Sequence, residues 1–236
     1  MTDTETGQQS IETVRAALIA AALPHVPFDG WSRETLAAAA REAGVSPAVA
    51  HAAFPRGGVD MALAFHRLGD DEMAERLART DFSGLRFRDR IALAVRLRLE
   101  VAEEHKEAVR RGATLFALPI HAADGAAAVW RTADRIWTAL GDSSTDYNWY
   151  TKRATLSAVI SSTVLYWLGD DSPGHAATWE FLDRRIENVM AFEGFKGKFL
   201  ASPMGRMMQK GPLRFLDLIR APDQTFRTGA PGWTRR

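Results

Sequence analysis

The sequence predicts an all-α protein. Apolar residues recur at helical spacing through almost every segment, no alternating strand pattern survives inspection, and short Gly, Pro or Asp breaks separate the periodic runs. At 236 residues the chain forms one domain of ordinary size or two small ones, and either buries a proper core.

The helices follow in order. Ile11, Val14, Leu18 and Ala22 line one face of a first helix, which Pro24 and Pro27 stop. Ser32 is a good N-cap, with Trp31 and Leu36 placed as a hydrophobic staple across it. That second helix ends at Gly44, a C′ glycine. Ser46-Pro47 restarts a short third helix that closes near Phe54-Pro55. A fourth, 59–79, carries Leu63, Phe65, Met73 and Leu77. Ile91, Val95 and Leu99 mark a fifth, and Val109 to Leu118 a sixth, closed by Pro119. The seventh, 122–140, holds Val129, Trp130, Ile136 and Trp137; the eighth spans 146–168 and the ninth 173–192.

The first three helices have the rhythm of a helix-turn-helix module, and the chain resembles the TetR-family architecture: a small N-terminal helical module on a larger helical domain for ligand and dimerisation. The expected organisation is a disordered start at 1–9, a degenerate module at 10–56, a ligand-binding and dimerisation domain at 57–193, a basic amphipathic segment at 194–220 and a flexible end at 221–236. A ligand-responsive DNA-binding regulator is therefore the rival reading. It fails on chemistry: the candidate recognition helix, Ser46 to Phe54, offers His51 and otherwise Ala, Val and Phe, flanked by Arg41 and Arg56. Reading bases and holding phosphates takes more Arg, Lys, Asn or Gln than that, so nucleic acid is not an expected partner.

Catalytic constellations are missing. With no cysteine, disulfides, thiolate metal sites and cysteine nucleophiles are excluded. There is no nucleophile elbow, phosphate-binding Gly-rich loop or His-Glu-x-x-His motif. In Glu100 to His105 the histidine stands one and two places from carboxylates, not the three that align ligands on one helix face. Asp70-Asp71 and Asp170-Asp171 sit beside glycines, where turn chemistry explains them. A non-enzyme with no cofactor is expected.

Leu93, Leu97, Leu115, Phe116, Leu118, Trp130, Trp137, Leu156, Ile160, Val164 and Phe181 either fill a core or line an apolar ligand pocket between helices. Net charge is +1, unevenly spread. From Phe195 onward nine Lys or Arg stand against Asp217 and Asp223, leaving +7 there and −6 on the rest. Lys196, Lys198, Phe199, Leu200, Met207, Met208, Lys210, Arg214 and Phe215 interleave basic and apolar character, as an interfacial membrane element does. Pro203 and Pro212 would break it into shorter pieces.

Gly141-Asp142-Ser143-Ser144-Thr145-Asp146-Tyr147-Asn148-Trp149-Tyr150-Thr151-Lys152-Arg153-Ala154 is similar, almost residue for residue, to the signature of the accessory lipid-binding proteins of ubiquinone biosynthesis, the ninth of the Coq proteins. Tyr147 replaces a phenylalanine of that pattern and Lys152 an arginine. Thr178 to Ile186 resembles a second block of the family. The resemblance implies a TetR-like homodimer that binds isoprenoid lipid or quinone intermediates and a phospholipid membrane surface. It would present quinone intermediates to the di-iron demethoxyubiquinone hydroxylase. Asp134, Ile136, Trp149, Tyr150 and Arg153 fall where the family places its surface patch for that hydroxylase. The acidic, polar first residues, Met1 to Gly7, are unlike a signal or transit peptide. A bacterial protein is expected, cytoplasmic and peripheral on the inner membrane.

Overall fold

The computed structural model describes residues 3–201 and 220–221, with side chains over 11–191 and at 220–221. Every regular element among them is helical: α1 (Asp3–Ala22), α2 (Val26–Asp29), α3 (Arg33–Glu42), α4 (Pro47–Ala53), α5 (Gly58–Ala78), α6 (Phe87–Val101), α7 (Lys106–Ala117), α8 (Ala122–Ala139), α9 (Tyr147–Leu168) and α10 (Ala176–Ala201). Single 3-10 turns at Glu103–His105 and Pro173–His175 join the flanking helices. The all-α expectation holds.

Local chemistry sets the boundaries. The Ser32 hydroxyl accepts from the Thr35 amide at 3.1 Å, and Trp31 and Leu36 both sit in the core as the staple requires. Gly44 has φ +63. The Val45 N–H reaches the Ala40 carbonyl at 2.9 Å and the Gly44 N–H the Arg41 carbonyl at 3.3 Å, a Schellman closure that relieves the orphan carbonyls of α3. Ser46 caps α4, with Pro47 in its first turn. Two ends differ from expectation: α1 begins at Asp3, ahead of residue 10, and α10 runs to Ala201, nine residues past 192. Lys196, Lys198, Phe199 and Leu200 thus lie on a helical backbone continuous with α10, their side chains undescribed; Met207, Met208, Lys210, Arg214 and Phe215 lie outside the described residues.

Two compact units form, Met1–Glu72 with Glu100–Ala128, and Met73–Leu99 with Val129–Arg236. In the first unit the segment around α7 completes the core. Ala108 belongs to the buried cluster of Leu18, Ile19, Val26, Phe54 and Met61, and the Trp31 indole donates to the Ala108 carbonyl at 3.0 Å. Arg56 is spent in the same unit, donating to Asp60 at 2.8 Å and Asp124 at 2.9 Å. At Gly58 a Cβ would stand 2.0 Å from the Trp31 carbonyl oxygen, so only glycine admits that approach.

In the second unit α9 buries Trp149, Arg153, Leu156, Ile160, Thr163 and Trp167. These recur every three or four residues and make one inward stripe. Asp170 closes α9 onto α10: its carboxylate accepts from the amide and hydroxyl of Thr178 at 2.9 and 2.6 Å and from the Ser172 amide at 2.8 Å. Those hydrogen bonds hold it well below the usual carboxylate range, which is the turn chemistry expected of this acidic pair.

Candidate functional site

The signature block joins α8 to α9. Gly141 takes φ +79 and ends α8 by a second Schellman closure, Asp142 N–H to Trp137 carbonyl at 2.9 Å and Gly141 N–H to Thr138 carbonyl at 3.1 Å. Asp146 then starts α9, its side chain accepting from the Asn148 amide at 3.0 Å. Between these fixed ends the loop holds Asp142 inward.

Arg153 is the centre of the arrangement. Fully buried, it donates from Nε to Asp134 Oδ1 at 2.5 Å and from Nη1 to Asp142 Oδ2 at 2.9 Å. The same Nη1 reaches the Trp149 carbonyl at 3.2 Å, and the guanidinium carbon lies 4.1 Å from the Trp149 ring centre. Lys152 donates to Asp142 Oδ1 at 2.8 Å and to the Ser144 hydroxyl at 2.6 Å, and the Trp137 indole donates to the Lys152 carbonyl at 3.1 Å. Two cations and two carboxylates balance, so the cluster knits α8, the loop and α9 together without net charge.

Burial pushes the Asp142 carboxyl up, and hydrogen bonds from Lys152, Arg153 and Ser144 more than offset this, leaving it at about 2. Stability from this group is full above about pH 4 and drains away as pH falls toward 2. Allowing for partial solvent screening, the loss is roughly 1–2 kcal/mol. Urea titrations at steps between pH 5 and 2.5 should show that fall, and Asp142→Asn should flatten it. An equal slope in both proteins refutes the assignment.

Above the polar cluster stands an aromatic trio. Trp149 meets Tyr150 edge-on at 4.7 Å and Trp130 at 5.9 Å, with Trp130 and Tyr150 6.4 Å apart. Within the expected patch Trp149 is 1% exposed, and Ile136 on α8 and Arg153 on α9 are fully buried; Trp149 and Arg153 begin the inward stripe of α9. Tyr150 and Asp134 are only half-buried. The indole N–H groups of Trp130 and Trp149 and the Arg153 Nη2 are buried without a protein acceptor.

Sequence reasoning missed one contact. The Tyr150 hydroxyl donates to the Arg220 carbonyl at 3.3 Å, and the Ala221 N–H donates to the Thr145 carbonyl at 2.9 Å. Nothing in the local sequence signals a pairing across this separation.

The expected pocket residues divide. Leu115 and Phe116 pack against the first core, while Leu118 is 48% exposed, at the extended backbone where α7 ends. In the second unit Trp130, Trp137, Leu156 and Ile160 are buried; Leu93, Leu97, Val164 and Phe181 are half-buried, with Phe181 stacked on Tyr166 at 4.5 Å. A groove of about 60 Å³ between α1 and α5 is lined by Arg15, Arg67, Glu12 and Asp71 among others, and by none of these residues. No cluster of metal-ligating side chains occurs among the described residues, and none of the helices described is long and apolar enough to cross a membrane.

Residues 122–193 match the family model described as COQ9. The chain is 36% identical over 190 residues to the mitochondrial ubiquinone biosynthesis protein COQ9 of Drosophila melanogaster, covering 79% of this chain and 58% of that protein. Against the Homo sapiens protein of the same name it is 31% identical over 195 residues, covering 79% and 60%. It thus spans about three fifths of the length of these relatives. A TetR transcriptional regulator from Nitrosomonas europaea superposes with a TM-score of 0.61 at 20% identity, over 74% of this chain and 97% of that one; this likeness establishes a TetR-like fold. The expected bacterial, cytoplasmic-membrane setting is overturned, since these relatives are mitochondrial by name, and the first residues of a chain matching part of a longer protein do not fix its compartment. With the signature block inside the matched segment, and with relatives bearing that one name from fly to human, the chain belongs to the COQ9 family.

Proposed function

We propose that this chain is a non-enzymatic, lipid-binding accessory protein of ubiquinone biosynthesis. In this reading a homodimer binds isoprenoid lipid or quinone intermediates and presents them to the di-iron demethoxyubiquinone hydroxylase at a membrane. The role in the pathway is taken from the relatives' name. The observation that carries the rest is the signature block itself, whose buried Arg153 cluster fixes the start of α9 and sets Tyr150 and Asp134 at a partly open face. Rigid support under a few half-exposed side chains is what a docking surface needs. Ile136, Trp149 and Arg153 then act as its foundation, and Tyr150 with Asp134 as its contacts.

The apolar residues of the second unit remain the proposed lipid contacts, and the basic, apolar segment from Lys196 to Phe215 the proposed membrane contact. Regulation of DNA is disfavoured by α4: its exposed face offers Ala48, Val49, His51 and Ala52, and Arg56 is committed to Asp60 and Asp124. Native mass spectrometry and solvent extraction of the purified protein should recover isoprenoid quinone or phospholipid, and the protein should capture the hydroxylase in pull-down. A lipid-free protein that ignores both liposomes and hydroxylase would sink the reading.

A further inference from the structure

We propose that the rim formed by Thr145 and Tyr150 is a dock for main chain, that its resident is this chain's own Arg220–Ala221, and that partner docking at Tyr150 has to displace that resident. The proposal rests on the functional reading above, and deepens it.

Two hydrogen bonds define the dock. Tyr150 Oη donates to the Arg220 carbonyl and the Ala221 N–H donates to the Thr145 carbonyl. Both groups on the occupant are main-chain atoms, one acceptor and one donor on adjacent residues, so the rim reads its occupant by backbone rather than by side chain. Arg220 agrees with this, since its residue is exposed. The rim lies on the face the functional reading needs: Tyr150 is the half-open member of the aromatic trio, and Thr145 stands just ahead of the Asp146 cap.

The contact is suited to exchange. Two ordinary hydrogen bonds contribute little net stability, but the occupant is part of the same chain, so an outside partner competes against a weak intramolecular ligand. The Arg153 guanidinium bonds to Asp134, Asp142 and the Trp149 carbonyl, none of which belongs to the resident. A partner segment that pairs with the same rim therefore replaces the resident without breaking the cluster below it.

The chain has no cysteine, which makes the test direct. A Thr145→Cys, Ala221→Cys double variant places one thiol on each side of the hydrogen bond from the Ala221 N–H to the Thr145 carbonyl, and a disulfide there requires roughly 4.4–6.8 Å between Cα atoms. Oxidation should give one intramolecular crosslink and weaken capture of the hydroxylase by about tenfold or more, and dithiothreitol should restore it. Ala221→Pro, which removes the N–H donor, should strengthen capture a few-fold with the Tm unchanged. Failure of the crosslink to form, or equal capture by oxidised and reduced protein, overturns the proposal. If reduced and wild-type chains alike ignore the hydroxylase, the functional reading fails first and this one falls with it.

Discussion

Trp149→Ala is expected to lower stability by about 3–5 kcal/mol, the range for emptying a buried aromatic site. At about 2–4 °C per kcal/mol for chains of this size, the Tm should fall by roughly 6–20 °C. The indole is 1% exposed, packs on Trp130 and Tyr150 and carries the Arg153 guanidinium on its face. Its removal therefore opens a cavity and loosens the cation above it. Tyr150→Phe is the matched control: it keeps the ring contacts and gives up one hydrogen bond to the Arg220 carbonyl, so it should cost under about 1 kcal/mol. Reading these two aromatics as equivalent surface contacts predicts near-normal melting for both alanine variants. A Tm for Trp149→Ala within about 2 °C of wild type would restore that reading.

The signature shows where sequence reasoning runs out. Its ends were legible because they depend on neighbours: a glycine after α8, and an aspartate two residues ahead of the amide it caps. The same holds for Ser32, Gly44 and Ser46. The facing of α9 was not legible, because apolar residues lie on nearly every side of it; Leu165, at 65% exposed, looks no different in sequence from Leu156 at 4%. The resemblance assigns Arg153 to a partner surface and is silent on its burial. Its partners, Asp134 and Asp142, come from another helix and a loop, at separations with no helical period. Filled core and ligand tunnel use the same side chains, so the list running from Leu93 to Phe181 mixed two units. The Arg220–Ala221 contact is long-range main-chain pairing, to which side-chain patterns are blind.

Arg153→Met is expected to cost about as much, roughly 3–5 kcal/mol, by the rule that breaking a buried ion pair leaves uncompensated charge. Here one cation serves two carboxylates, with Arg153 at 0%, Asp142 at 2% and Asp134 at 14% side-chain exposure. Arg153→Lys should rescue little, because a single ammonium does not span acceptors that the guanidinium fork reaches from Nε and Nη1. The pH dependence separates lost charge pairing from lost packing. In wild type the depressed Asp142 carboxyl makes acid destabilising from about pH 4 downward. In Arg153→Met the Asp142 carboxyl loses one of the hydrogen bonds that hold it low, so lowering the pH from 7 toward 4 should narrow the stability gap between the two proteins. Asp134→Asn should likewise recover part of the loss in the Met background while harming wild type, a coupling that a double-mutant cycle in urea measures. A pH-independent gap with additive single effects would mean that Arg153 stabilises the fold through its contact with Trp149 alone.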